Sequence, residues 1–189
     1  MRKVFLILGR TGCGKTTLAK KIIDKYRRTI AVDPLGEYGG NVFTDFELFC
    51  DYCKNNIVNN SGDFHIALRF DEDISFQYLF QVLWYIPDFL FILEEAEMFI
   101  DSRNADRNFL RLVRYGRHKD ISLLCVARRV PEISIDFRAQ CTSIVTYNQT
   151  EPSDLEKLED YGFDMEEVKT LPLHEHVYIG ENIEEKTPS

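Results

Sequence analysis

A stretch of nine residues, GRTGCGKTT at positions 9–17, constrains this chain more than any other part of it. It satisfies the spacing G-x-x-x-x-G-K-[ST], with the apolar run VFLIL immediately before it and a helix-forming run, residues 15–26, immediately after. The spacing has a physical reading. Gly9, Gly12 and Gly14 let the backbone curl so that the amides of Arg10, Thr11, Cys13 and their neighbours point inward. A helix starting near Lys15 brings its positive end to the same point. Such a loop cradles phosphate oxygens. Lys15 reaches β- and γ-phosphates, the Thr16 hydroxyl is placed to ligate Mg²⁺, and Thr17 follows directly in the same stretch. The ligands implied are ATP and Mg²⁺.

A loop of this kind works between a buried strand and a helix, and the rest of the chain continues the alternation. Strand-like runs fall at Val4–Leu8, 29–33, 64–70, Phe89–Leu93, 122–127, Ser143–Tyr147 and 176–179. Helical patterns fall at 15–26, 46–55, 74–86, 106–118 and 151–161. FLFIL at 89–93 is apolar throughout, as a central strand buried on both faces must be. The expected fold is α/β, a mostly parallel central sheet between two layers of helices. The length, 189 residues, suits one domain over 1–180, followed by the polar and loose tail ENIEEKTPS at 181–189.

Several classes are excluded. No apolar run approaches the roughly 18–20 residues of a membrane span. The opening MRKVFLILGRTG has the basic start of a signal peptide, but its apolar run lasts six residues and ends in the glycine loop. Five cysteines without regular spacing argue against a disulfide framework and for a reducing compartment. Cys50 and Cys53 form a lone CxxC, and His174 and His176 lack a third ligand, so neither makes a zinc site. A formal net charge of −8 means that any contact with nucleic acid has to be local.

FLFIL ends in carboxylates: Glu94, Glu95 and, beyond, Glu97. A nucleotide hydrolase needs an acidic group beside Mg²⁺ and a base that orients the attacking water. The tip of a strand adjacent to the loop strand offers both positions. Glu94 is assigned to the Mg²⁺ side through water, and Glu95 to the attacking water; successive strand residues point opposite ways, which separates the roles. The pair also argues against a small-molecule kinase, in which an activated water would be wasteful.

Three further stretches follow in order: DPLGEY at 33–38, RHKDISLLCVARRVPEI at 117–133 and FRAQCTSIVTYNQTEPSDLEKL at 137–158. With the loop and the carboxylates, they resemble the HerA–FtsK superfamily of DNA-translocating ATPases over residues 4–158. The likeness is greatest to its short members, the genome-packaging ATPases of tailless membrane-containing viruses and the related zonula-occludens-toxin-like assembly proteins of filamentous phages. The resemblance implies a three-layer P-loop NTPase core of the RecA (ASCE) kind. It implies a ring, expected to be a hexamer, hydrolysing ATP at subunit boundaries to move double-stranded DNA. A portal or membrane protein is the further partner implied, and the place of action is cytoplasmic, the host cytoplasm for a virus, with virion association left open. The family's polar sensor, usually glutamine, falls on Arg128, a departure, since arginine positions water differently from an amide. Its trans-acting arginine matches Arg138, with Arg117 as second candidate.

Arg107, Arg111, Arg114 and His118, spaced by four, three and four, share one helix face, with Phe109, Leu110 and Val113 on the core side. The stripe reads either as a solvated face with ion pairs or, in a ring, as a contact with DNA phosphates or a neighbour's nucleotide. Asp33 and Glu37 either approach Mg²⁺ or close the turn through Pro34 and Gly36. Trp84, Phe80 and Tyr85 read as core. The rival readings are a filamentous-phage assembly or export ATPase, a small P-loop kinase and a slowly hydrolysing nucleotide switch.

Overall fold

The computed structural model describes residues 2–58, 60, 62–70, 76–100 and 106–181. The first residues of the helix expected over 74–86, and the tail beyond Glu181, lie outside the described residues.

Eight strands form one sheet: β1 Val4–Leu8, β2 Arg28–Val32, β3 Asn41–Phe43, β4 Phe64–Leu68, β5 Phe89–Leu93, β6 Ile121–Ala127, β7 Ser143–Tyr147 and β8 His176–Gly180. Their spatial order is β3-β4-β2-β5-β6-β1-β7-β8. The β7–β8 ladder is antiparallel and the others are parallel. The sheet is mostly parallel, as expected, and Phe89–Leu93 is central.

Composition explains the centre. Every residue of β1, β5 and β6 is buried, so these runs have no polar face to turn to water. Alternation sorts their side chains between two layers. Leu6, Leu8, Phe89, Phe91 and Leu93 face one layer, made by α2 (Phe46–Tyr52), α3 (Phe76–Trp84), α4 (Arg107–Tyr115), α5 (Ile135–Arg138), α6 (Pro152–Asp160) and α7 (Met165–Thr170). Ile7, Leu90, Ile92, Leu124 and Val126 face the other, where α1 (Lys15–Ile23) contributes Leu18, Ala19 and Ile22. In the larger layer Phe91, Phe80, Phe109 and Phe137 run ring to ring at centroid separations of 6.1, 5.2 and 6.0 Å. Each buried ring contributes roughly 1.5–3 kcal/mol of apolar transfer.

Several expectations need correction. The carboxylate strand β5 is not adjacent to β1: β6, buried at all seven positions, lies between them. The first helix stops at Ile23 rather than at 26, and the helix expected over 46–55 leaves α-geometry after Tyr52 and continues as a π-helical turn, Cys53–Ile57. The short elements β3, α5 and α7, of three, four and six residues, escaped the reading because a period needs a longer window to show. On α4 the core side is Phe109, Leu112 and Val113, with Leu110 only half-buried. Phe80 is core and Trp84 half-buried against it, but Tyr85 is 68% exposed, at the point where α3 has ended and the chain turns outward.

Candidate active site

The loop leaves β1 at Gly9 and enters α1 at Lys15. Gly9 donates its backbone N–H to the Ala127 carbonyl at the tip of β6, 3.3 Å away. A Cβ on Gly9 would meet Cys13 Sγ at 2.6 Å and Tyr147 Cβ at 2.9 Å, so only glycine fits between β1 and β7 here. Gly14 caps α1 in the left-handed region, φ 109°. The amides heading α1 have no acceptor inside the helix and, with the helix dipole, form an anion cradle. Lys15 Nζ donates to the Gly9 and Arg10 carbonyls at 2.7 and 3.0 Å, which sets its charge across the mouth of the loop. The Arg10 side chain turns to the Thr150 hydroxyl. Thr11, Gly12 and Thr17 are exposed, while Cys13 is buried and desolvation pushes its thiol pKa up.

Glu94 closes the site from β5. It is 4% exposed, and its Oε1 accepts from the Thr16 hydroxyl at 3.3 Å. Its Oε2 accepts from the Tyr38 hydroxyl. Burial pushes the Glu94 pKa above the ordinary carboxylate range, although Tyr38, Lys15 and Thr16 pull the other way. Burial first, and then the Glu94 charge, hold the Tyr38 phenol far above its usual pKa, so it remains a donor. The Thr16 hydroxyl and the Glu94 carboxylate are hard oxygen donors of the type Mg²⁺ takes while keeping waters and phosphate oxygens. Among the described residues no cluster of three or more His, Cys, Asp or Glu forms an all-protein metal cage.

Tyr38 is the site residue that sequence reasoning missed, although it lies in the DPLGEY stretch already singled out. Fully buried Asp33 accepts the backbone N–H groups of Glu37 and Tyr38 at 2.6 and 3.1 Å, and Arg69 Nε at 3.0 Å. Arg69 also donates to the Tyr38 carbonyl at 2.6 Å. Of the two roles open to Asp33, the structure shows turn closure, and the turn aims Tyr38 at Glu94. Glu37 is exposed, with Lys20 at 3.5 Å.

Glu95 stands beyond the end of β5 in a left-handed conformation, φ 48°. Its carboxylate pairs with Arg128 at 3.0 Å. The structure thus brings Arg128, the residue expected as the sensor, from the tip of β6 to Glu95. The Arg128 backbone N–H donates to Glu97 Oε1 at 3.3 Å, and its carbonyl accepts from buried Gln149 at 3.0 Å. Burial raises the Glu97 pKa, and the Glu95 charge raises it further. Arg129 leaves the site for buried Asp154, at 3.0 Å.

The other arginines lie apart. Arg138, expected as the trans-acting arginine, is 8% exposed, donates to the Ile133 carbonyl at 3.0 Å and the Tyr161 hydroxyl at 3.3 Å, and lies 5.9 Å from the Tyr161 ring. Arg117 is exposed in the turn Gly116–Lys119 ahead of β6, at the end of the sheet opposite the loop. On α4, Arg107 is exposed, Arg111 lies 4.0 Å over the Trp84 ring, and Arg114 pairs with Asp136 at 2.9 Å.

A strand–loop–helix cradle, a carboxylate from two strands away on its hydroxyl, and helices on both faces of the sheet together make this a P-loop NTPase fold. No protein-family model matches the sequence and no curated protein is detectably similar to it. Solved structures do match. The genome packaging NTPase B204 of Sulfolobus turreted icosahedral virus 2, in complex with AMP, superposes with a TM-score of 0.76 at 17% identity, over 95% of this chain and 92% of that one. VirB4 of Thermoanaerobacter pseudethanolicus gives 0.55 at 11% identity over 94% and 88%, and the N-terminal domain of zonular occludens toxin from Neisseria meningitidis 0.50 at 16% over 79% and 78%. At these identities the likeness is one of fold, and it bears out the fold expected from the HerA–FtsK resemblance. Among the described residues no helix is long and apolar enough to cross a membrane.

Proposed function

We propose that this chain is an ATP-hydrolysing DNA translocase, a viral genome-packaging motor that moves double-stranded DNA. The observation that carries the reading is a complete phosphate loop, with Glu94 on Thr16, inside a fold that matches a genome packaging NTPase over nearly its whole length. That protein has also been solved with ATP-gammaS and AMPPCP, which supports ATP as the nucleotide here.

The chemistry follows from the residues. Lys15 and the head of α1 hold the triphosphate. Thr16 and Glu94 would hold Mg²⁺, which would supply charge neutralisation on the phosphates. Glu95, its carboxylate fixed by Arg128, takes a proton from water as the water oxygen bonds to the γ-phosphorus. The bond from that phosphorus to the β–γ bridging oxygen breaks, and ADP leaves with the electron pair. With Arg138 committed to its own core, Arg117 is the arginine assigned to a neighbouring subunit's triphosphate. Such a cation is worth about 10³–10⁵ in rate in GTPases. Arg107 and Arg111 are assigned to DNA phosphates, which they hold without reading bases. A ring, expected to be a hexamer docked on a portal or membrane protein in the host cytoplasm, reconciles this with net acidity: it is acidic outside and basic along its axis.

The test is ATP turnover with and without duplex DNA, at several salt concentrations, alongside particle mass. The expected result is an oligomer whose turnover rises with DNA, the stimulation fading steeply with salt. A monomer at full rate, indifferent to DNA, overturns the motor.

A further inference from the structure

A pocket of about 310 Å³ opens at the end of the sheet opposite the phosphate loop. The entries to parallel strands surround it: Arg28 begins β2, Phe89 begins β5, and Ser122 is the second residue of β6. Four cations line it, Arg2, Lys25, Arg27 and Arg28, against three carboxylates, Asp63, Asp88 and Asp120, which leaves one positive charge in excess. Asp88 and Asp120 stand just before β5 and β6 in the left-handed region, φ 53° and 52°, which Asp and Asn adopt more readily than bulkier residues.

Three of the cations are arginines, and one of them differs from the other two. In a guanidinium the Nε–H and one Nη2–H point the same way and form a two-pronged edge. In Arg2 that edge is met by carbonyls: Nε donates to Ile121 at 2.8 Å, and Nη2 to Leu112 and Val113 at 3.1 and 2.7 Å. In Arg27 it is met by Asp63, whose Oδ1 lies 2.9 Å from Nε and 2.8 Å from Nη2. In Arg28 the same two nitrogens are buried, and neither has a hydrogen-bond partner among the described residues. Arg28 is 9% exposed, and its guanidinium lies 4.8 Å over the Phe64 ring. The ring attracts the charge but accepts from neither edge nitrogen, so the edge keeps its full requirement for an acceptor.

We propose that this pocket binds a single carboxylate group, taken by the two-pronged edge of Arg28. A carboxylate offers two oxygens that match such an edge. One excess positive charge balances one carboxylate, whereas a phosphate dianion or a DNA backbone meets repulsion from Asp88 and Asp120. The Arg27–Asp63 pair on the rim is exposed, of the weak surface kind, and yields to an entering acceptor. The carboxylate comes either from a small organic acid or from an acidic side chain of a partner protein docked at this end of the sheet. The two sources share one chemistry, and the test separates them. The inference stands apart from the motor reading, because no residue of the pocket belongs to the phosphate site.

The experiment is calorimetric titration of the full chain with propionate, with a blocked tripeptide carrying one central glutamate, with its glutamine counterpart and with inorganic phosphate. Both carboxylates bind, and the glutamine peptide and phosphate bind at least about tenfold more weakly. A glutamate peptide more than about tenfold tighter than propionate assigns the site to a protein partner, and a smaller difference assigns it to a small acid. Arg28→Lys keeps the charge, loses the fork and weakens both carboxylates at least about tenfold. Arg28→Met abolishes their binding and, without ligand, raises Tm by roughly 2–4 °C, since an unpartnered buried charge gives way to an apolar chain that still packs on Phe64. Asp88→Asn keeps the left-handed turn and strengthens phosphate binding several-fold. A parent that binds neither carboxylate overturns the proposal. So does carboxylate affinity unchanged in Arg28→Lys, whatever Arg28→Met does to the fold, and so does a glutamine peptide that binds as well as the glutamate one.

Discussion

Arg128 and Glu95 form an ion pair of 3.0 Å across the tips of β6 and β5. The residue expected at the sensor position therefore contacts Glu95, the residue proposed as the base. Glu95 already sits in a left-handed conformation outside the strand, so its carboxylate depends on a partner for its direction. Arg128→Ala is expected to lower kcat on the order of 10²-fold, the cost of losing about 1 Å of alignment, with the KM for ATP little changed. Steady-state kinetics check this. A raised KM at full kcat would make Arg128 a nucleotide-binding residue instead.

Glu95→Gln keeps the shape and removes the proton acceptor. Turnover should fall roughly 10²–10⁴-fold, with intact ATP recovered from the protein after gel filtration. Hydrolysis at the parental rate would move the base elsewhere.

Tyr38→Phe leaves the ring packed and deletes one donor to Glu94. Removing such a support of a metal-holding carboxylate typically costs 10–100-fold in metal affinity. The Mg²⁺ concentration for half-maximal turnover should rise by about that factor. An unchanged Mg²⁺ requirement would confine Tyr38 to packing.

Glu94 has a pKa raised by burial, which links pH to both stability and activity. The folded chain keeps this proton at higher pH than the unfolded chain does. The stability tied to it is therefore full below the unfolded pKa and is lost as pH rises through the folded pKa. Above that raised pKa the ionised, buried carboxylate weakens the fold. Glu94→Gln should raise Tm, by about 2–4 °C for each kcal/mol relieved, while abolishing Mg²⁺-dependent turnover. The Tm gain should shrink as pH falls through the raised pKa. Thermal melts across a pH series check the sign, and a Tm difference that grows as pH falls contradicts it.

Arg138→Ala should behave as a fold mutation. Two hydrogen bonds from a buried guanidinium are lost, a cost of roughly 2–3 kcal/mol, so Tm falls while turnover at a permissive temperature persists. Unchanged Tm with turnover lost would return Arg138 to a neighbour's nucleotide.

Much of this architecture was legible in the chain because its signals are local. The glycine spacing of residues 9–17 dictates a loop, and uninterrupted apolar runs such as FLFIL dictate strands buried on both faces. The placement of Thr16 at the head of α1 and of Glu94 at the tip of β5 was likewise readable, since each adjoins a recognisable element.

What the sequence by itself determined was therefore the kind of layer each segment enters and the chemistry of the loop. Tertiary structure alone decided which strand lies beside which, and so that β6 separates β5 from β1. It alone decided that Tyr38, 56 residues from Glu94, supplies that carboxylate's donor, and that Arg138 is buried while Arg128 finds Glu95. The reason is physical. Periodicity and loop geometry are set by neighbours along the chain, whereas a buried charge takes whichever distant partner the completed packing brings within hydrogen-bond reach.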